Sequence, residues 1–469
     1  MNVFSTALET LGDLQPRELS GTVLSIRGLT ILVERLRIPV GSIVRVECGS
    51  DHGSTVHGEV VGFDGDRSLV MLYGEAGGIS PGDRCVGERT STTVQVGRGM
   101  LGRVLDGLGR PIDGREPPTG TSSRLLNPVR TSPLERTSIN EPLATGVRAI
   151  DGLLTIGKGQ RLGIFSGPGV GKSTLLGAIA RNTSADVNVI ALIGERGREV
   201  VEFVEETLGP EGLARSVVVV ATGDESPLLR VRACLVALAT AEHFRDMGLD
   251  VMLTFDSLTR FAHAQRQIGL AVGEQPATKG FTPSVFAMLP RIMERAGCLR
   301  GGGSITGIYT VLAEGDELAD PIADAAKGVL DGHLLLSNQL ASKGHYPAID
   351  PLRSISRAAD RLVDEHMLAA RREIIRLLAA HQEAEELISI GAYATGSNPD
   401  VDIAIALREQ LLGFLRQGAS DKFDYPRTCR LMIELHGVIE AMRAQLGQTR
   451  QASAVDPARL GGGLEGTAA

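Results

Sequence analysis

Ser166-Gly167-Pro168-Gly169-Val170-Gly171-Lys172-Ser173-Thr174 follows the apolar run Leu162-Gly163-Ile164-Phe165 and leads into a helical pattern from Leu175 to Arg181. Strand, glycine-rich turn and helix in that order make a phosphate cradle. Gly167, Gly169 and Gly171 let successive backbone N–H groups curl toward phosphate oxygens, and the helix N-terminus adds its dipole. Lys172 is placed to reach the terminal phosphates and Ser173 to ligate Mg²⁺, while Pro168, Val170 and Thr174 complete the loop. Ser166 stands where the usual pattern has Gly or Ala, and a serine is expected to be accommodated there because it adds only a hydroxyl. Only six of the 48 basic residues are lysines, and one of them is Lys172.

The same strand-then-helix alternation extends on both sides of the loop's own unit. Val187–Ile193, Ser216–Ala221, Val251–Phe255 and Ile305–Leu312 are continuous apolar runs separated by helical stretches, the pattern of a parallel sheet covered on both faces. In such a sheet ligands bind beyond the carboxyl ends of the strands, so residues that close these runs face the cradle. Glu195, in Gly194-Glu195-Arg196-Gly197-Arg198-Glu199, is the candidate to orient and deprotonate an attacking water. Taken alone, this run also reads as a salt-bridged surface turn. Asp256, which closes Val251–Phe255, can hold Mg²⁺ through its water shell. An Asp after a strand also caps helices, and Asp256, Ser257 and Thr259 are all candidate caps for the helix that follows.

Farther out, residues 19 to 92 carry short β-runs at Thr22–Ile26, Thr30–Val33, Ser42–Val46, Glu59–Phe63 and Ser68–Tyr73, spaced as in a small barrel or sandwich. Gly97 to Pro118, rich in Gly, Pro and Asp, reads as a turn-laden connection. After about 360 the β-runs stop, and Arg361–Leu387, Pro399–Leu415 and Tyr425–Leu446 show helical periodicity. The expected organisation is an N-terminal β-barrel domain over 1–92, an ATP-binding domain over 93–360, a C-terminal helical domain over 361–448 and a flexible tail over 449–469. No repeat of 20 to 50 residues is apparent.

Composition narrows the function. A chain of 469 residues, 42% hydrophobic and 22% charged, is ordinary globular material for about three domains. A net charge of −8 argues against a surface that grips phosphate backbones throughout, and 3% aromatics with no Trp leave little to stack single-stranded bases on. Five scattered cysteines without a Cys-x-x-Cys pair fit a reducing compartment. The start, Met1 to Glu9, has neither the basic cluster nor the apolar stretch of a secretory signal, and no run reaches membrane-spanning length, so a cytoplasmic location is expected.

Further segments carry a family resemblance: Asp256-Ser257-Leu258-Thr259-Arg260-Phe261-Ala262, Gly273–Thr278, Pro283–Phe286, Glu314-Gly315-Asp316, Asp320–Asp324, His345–Asp350, Ser354-Ile355-Ser356-Arg357 and Gly391-Ala392-Tyr393. From about residue 20 to about 415 the chain resembles the type III protein-export ATPases, relatives of the catalytic subunit of rotary ATP synthases. Asp320–Asp324 looks more like the flagellar branch than the injectisome branch. The resemblance implies an α/β fold, a RecA-like P-loop parallel-sheet core with an N-terminal small β-barrel and a C-terminal helical domain. It implies Mg-dependent ATP hydrolysis energising protein export by a homohexameric ring with sites between subunits. Stalk and regulator proteins, export chaperones and substrates are the implied partners, with peripheral association at the membrane-embedded export gate and no nucleic acid.

Residue by residue, the resemblance implies that Arg357 is an arginine finger in the neighbour's site, where a guanidinium stabilises charge on the transferred phosphoryl group. It also implies that Tyr346 stacks on adenine, although a tyrosine packed under a Pro turn reads the same way. Arg196 and Arg260 match positions near the phosphates, where ion pairs with Glu199 or Asp256 account for them equally. Asn338-Gln339 departs from the family, which tends to place arginines there. An RNA-dependent hexameric translocase shares the barrel-plus-ATPase plan, but its barrel would show aromatics and basic stripes, and this one offers Phe63, Tyr73 and many acids. A non-catalytic nucleotide-binding ring subunit would lack Glu195.

Four further signals are weaker. Gly78-Ile79-Ser80-Pro81-Gly82 matches a serine-hydrolase elbow, but Pro81 has no N–H for an oxyanion hole. Cys48, His52 and His57 fit no standard zinc framework. Phe4, Leu8 and Leu11 share a helical face that suits either a docking helix or packing on the chain's own barrel, and Gly269–Pro283 has the Gly and Pro content of a loop lining a ring's pore.

Overall fold

The computed structural model describes residues 19–49, 54–90, 93–129, 131–312 and 320–455. Phe4, Leu8, Leu11, His52 and Glu314-Gly315-Asp316 lie outside them, as does the end of the expected tail.

Six strands close the barrel: β1 (Ser20–Arg27), β2 (Thr30–Glu34), β3 (Ser42–Glu47), β4 (Thr55–Asp64), β5 (Arg67–Leu72) and β6 (Arg84–Thr90), in the order β1-β2-β5-β4-β3-β6. Alternating inward residues such as Val23, Val44, Val46, Val60 and Val70 fill it. Closure leaves no edge open to foreign strands. A small ribbon, β7 (Thr93–Gly97) with β9 (Thr121–Leu125), leads out of the barrel.

The central sheet runs β17-β16-β10-β15-β13-β11-β12-β8. Five of its strands were expected: β10 (Arg161–Ser166), β11 (Val187–Ile193), β12 (Ser216–Ala221), β13 (Asp250–Asp256) and β15 (Ser304–Leu312). They are parallel and almost wholly buried because helices cover both faces. Three were not expected: β8 (Arg103–Leu105), β16 (Gly332–Leu336) and β17 (Ile349–Ser356). The Gly97–Pro118 stretch is therefore more than a connection, since β8 joins the sheet edge beside β12 and is pinned by a two-pronged Arg103–Asp113 pair at 2.7 and 2.9 Å. The sheet is also not purely parallel: β17 runs antiparallel to β16, and the two-residue β14 (Gly297–Cys298) antiparallel to β15.

Two C-terminal boundaries move. The expected break at 360 falls inside a short helix, Ala359–Leu362, whose first and last residues are buried. The long helix starts at Glu365, where the Asp364 side chain accepts the Met367 N–H at 2.8 Å. It extends to Ser389, and the next expected helix divides at Leu407 into Pro399–Ala406 and Arg408–Leu415. The last helix runs Tyr425–Val455, beyond position 448. Ile374, Leu377, Phe414, Met432 and Ile439 pack this domain on the same core as the phosphate-loop helix. No helix among the described residues is long and apolar enough to cross a membrane.

Candidate active site

β10 ends in buried Ser166, whose hydroxyl has no hydrogen-bond partner among the described residues. The chain then turns through Gly169 at φ +75° and Gly171 at φ +87°, a left-handed conformation that side chains resist. Gly171 is the cap of the helix Lys172–Asn182, so its turn leaves the first helical N–H groups facing outward. Ser173 and Thr174 are exposed on that first turn, as are Pro168 and Gly169, while Val170 is buried as the anchor of the loop. Asn338 lies over Gly167, its Nδ2 3.1 Å from where a Cβ would stand. Thus the position that departs from the family borders the cradle itself.

Three strand ends converge here. The Lys172 ammonium donates to Asp256 Oδ1 at 2.5 Å and stands 3.7 Å from Glu195 Oε1. Asp256 is 3% exposed and also accepts the Thr310 hydroxyl at 2.6 Å. Of the three candidate caps, Ser257 takes the role, accepting the Arg260 N–H at 3.3 Å, and this leaves the Asp256 carboxylate to the site. Burial first, and then the Asp256 charge, pushes the Glu195 carboxyl up to about 7 against the pull of Lys172. Glu199 shares a hydrogen bond with Glu195 and is held below the usual carboxylate range by it.

Other expected residues fall elsewhere. Arg196 is 83% exposed and pairs with Glu199 at 2.9 Å, one step removed from the cluster. The Arg260 side chain packs on Gly194, and its Nε has no partner among the described residues. Tyr346 is half exposed with its ring 3.5 Å from where a Cβ on Gly171 would stand, so it borders the cradle rather than burying itself under Pro347. Arg357 is exposed at the far end of the sheet. Register shows this: Ser166 aligns with Leu336 and Leu336 with Ile349, whereas Gly332, at the start of β16, aligns with Ser356. β17 is irregular between Asp350 and Ile355; along β16, four strand steps of about 3.3 Å, from Leu336 to Gly332, put Arg357 about 13 Å along the sheet from the level of its own loop.

Sequence reasoning did not single out Thr310 or the Glu195–Glu199 contact. The spacing of four between the two glutamates was visible, but Thr310 sits in an apolar run whose pairing with β13 only the fold reveals.

A family model described as ATP synthase alpha/beta family, nucleotide-binding domain, matches residues 146–356. The beta-barrel domain of that family matches 23–88, and the T3SS EscN ATPase C-terminal domain matches 363–434. A flagellum-specific ATP synthase from Treponema pallidum is 49% identical over 429 residues, covering 91% of this chain and 95% of the relative. This chain belongs to the type III export ATPases. The export ATPase is 51% identical to the flagellum-specific ATP synthase of Salmonella typhimurium, over 85% of this chain and 89% of that one. It is 48% identical to the type 3 secretion system ATPase of Xanthomonas euvesicatoria, over 88% and 93%. These identities do not separate the two branches. Among solved structures, the assembled ATPase EscN of the enteropathogenic E. coli type III secretion system superposes on the export ATPase with a TM-score of 0.83 at 41% identity, covering 88% of this chain and 99% of that one. EscN in complex with its central stalk EscO gives 0.81 at 40% identity, with the same coverage.

Proposed function

We propose that this ATPase hydrolyses Mg-ATP at sites shared between neighbouring subunits of a homohexameric ring, and that the ring serves a flagellar export apparatus. Within one subunit, the backbone of Gly167 to Thr174 and the Lys172 ammonium hold the phosphates, and Tyr346 supports the base. Ser173 and Asp256 offer a hydroxyl and a carboxylate, the hard oxygen donors that Mg²⁺ prefers while keeping most of its waters. No group of three or more His, Cys, Asp or Glu among the described residues makes an all-protein cage, which fits a metal carried in with phosphate oxygens. Held by Ser173 and Asp256, the ion would offset the negative charge of the phosphates. Glu195 accepts the proton of the attacking water, and Arg196 keeps Glu199 in place beside it. Arg357 of the neighbouring subunit stabilises the charge spread over the transferred group.

The observation that carries this reading is the register of β16 and β17, which sets Arg357 about 13 Å along the sheet from the level of its own loop. Such a distance leaves a finger only a partner's site to enter. The ring is read as cytoplasmic and peripheral at the inner-membrane export gate, in contact with a stalk protein as EscN is with EscO, with regulators, and with chaperone-bound substrates.

Mixing Lys172→Ala and Arg357→Ala chains tests it. Each alone is expected to be inactive, whereas mixed rings contain interfaces with both groups intact and recover hydrolysis. No recovery in rings shown to be mixed would overturn the shared site. Recovery of flagellar rather than injectisome components with the tagged chain checks the branch.

A further inference from the structure

The turn joining the helices Arg408–Leu415 and Tyr425–Val455 is bonded to the C-terminal end of the phosphate-loop helix and reaches its N-terminal end through Tyr346. At the helix C-terminal end, Arg181 donates to the Ala419 carbonyl at 2.7 Å and Asn182 to the Asp421 carbonyl at 3.4 Å. At the N-terminal end the tie passes through Tyr346. The Gln417 N–H donates to the Tyr346 carbonyl at 2.9 Å, and the Tyr346 ring borders Gly171.

Gln417 is the hub of this turn. It is buried, its Oε1 accepts the Arg148 N–H at 2.9 Å, and its Nε2 donates to the Gly146 carbonyl at 2.8 Å and the Asp421 carbonyl at 3.3 Å. Arg148 in turn donates to the Arg416 carbonyl and covers the Phe423 ring at 4.3 Å. A carboxamide accepts and donates in one plane; a carboxylate of the same shape accepts only. The segment that precedes the phosphate loop meets the side chain of this one residue of the C-terminal domain, and the Tyr346 turn meets its backbone N–H.

We infer that Gln417 is a positioning residue for the nucleotide base. Its side chain locks the turn between Gly146 and Arg148, which aims its own N–H at the Tyr346 carbonyl and so sets the ring beside the cradle. The inference rests on the reading of Tyr346 as the base platform. An exposed ring held by one backbone contact keeps a stacking direction only while that contact keeps its own, and ordering it in advance spares the nucleotide the cost. The phosphate cradle has its own strand, turn and helix and does not depend on this contact.

Two probes separate the base from the phosphates: Mg-ATP and inorganic tripolyphosphate with Mg²⁺, titrated calorimetrically into full-length protein. Gln417→Ala is expected to weaken ATP about tenfold and to raise KM alike, with kcat and tripolyphosphate affinity within about twofold. In the Tyr346→Ala background it is expected to add nothing, since the ring it serves is gone. Equal weakening of both probes would mean that Gln417 only braces the loop helix, and unchanged ATP affinity would mean that it positions nothing; either result overturns the inference. If Tyr346→Ala itself binds ATP normally, the platform reading falls and takes this inference with it. If Tyr346→Ala weakens ATP and Gln417→Ala does not, the inference alone fails.

Discussion

At the loop end of the central sheet, Lys172 lies 2.5 Å from Asp256 and 3.7 Å from Glu195, so the three groups form one contact cluster. At the opposite end, β17 delivers one exposed arginine, Arg357, whose guanidinium is in no ion pair among the described residues. Buried charges are held in place only when partnered, so the first cluster is complete as a charge arrangement within one chain. A solvated guanidinium has no such need and is free to find its counter-charge in another molecule. One sheet thus carries a buried charge cluster at one end and an exposed arginine in no ion pair among the described residues at the other.

The largest test of this contrast compares the two ends directly. Lys172→Ala and Arg357→Ala are each expected to lower kcat by roughly 10³ or more. Only Lys172→Ala should also lose nucleotide affinity in calorimetry, because only Lys172 belongs to the glycine-rich loop of its own subunit. Equal loss of affinity in both would erase the difference between the ends. Next in size, Glu195→Gln is expected to cost on the order of 10² to 10⁴ in kcat, the usual worth of a general base. The base must be unprotonated to act, and its carboxyl is pushed up to about 7. Activity should therefore fall on acidification through about 7 rather than through the ordinary carboxylate range near 4.5. Log kcat/KM should climb one unit per pH unit below that point and level off above it, while the Gln variant shows no such limb. A wild-type profile flat from about pH 5 to 8 would remove Glu195 from the role. Smallest is Arg196→Ala, at no more than about fivefold in kcat, since an exposed ion pair with Glu199 is worth little. A loss as large as that of Arg357→Ala would place Arg196 on the phosphates instead.

What could be read before folding follows from how local each feature is. β10 to β13 and β15 announce themselves because burial on both faces demands unbroken apolar runs. β8 is three residues long in a Gly- and Pro-rich segment, β6 alternates with charge, and β17 carries Pro351 on a half-exposed edge, so none of them shows that signature. Lys172 and Ser173 were legible from their loop, and Glu195 and Asp256 from strand ends. Thr310 and Gln417 were not, because their partners lie 54 and 71 positions away, at Asp256 and Tyr346, and nothing local marks either residue. The choice of Ser257 over Asp256 as helix cap also required the fold, since both side chains are competent.

β17 begins three residues after Tyr346 and ends one residue before Arg357. It pairs with β16 at its two ends, through Ile349 and Asp350 and again through Ile355 and Ser356, around an irregular middle. Under the proposed function, one strand therefore has the base platform just before it and the finger for the neighbouring subunit just after it. In that reading two neighbouring sites share one stretch of backbone and need no separate messenger between them.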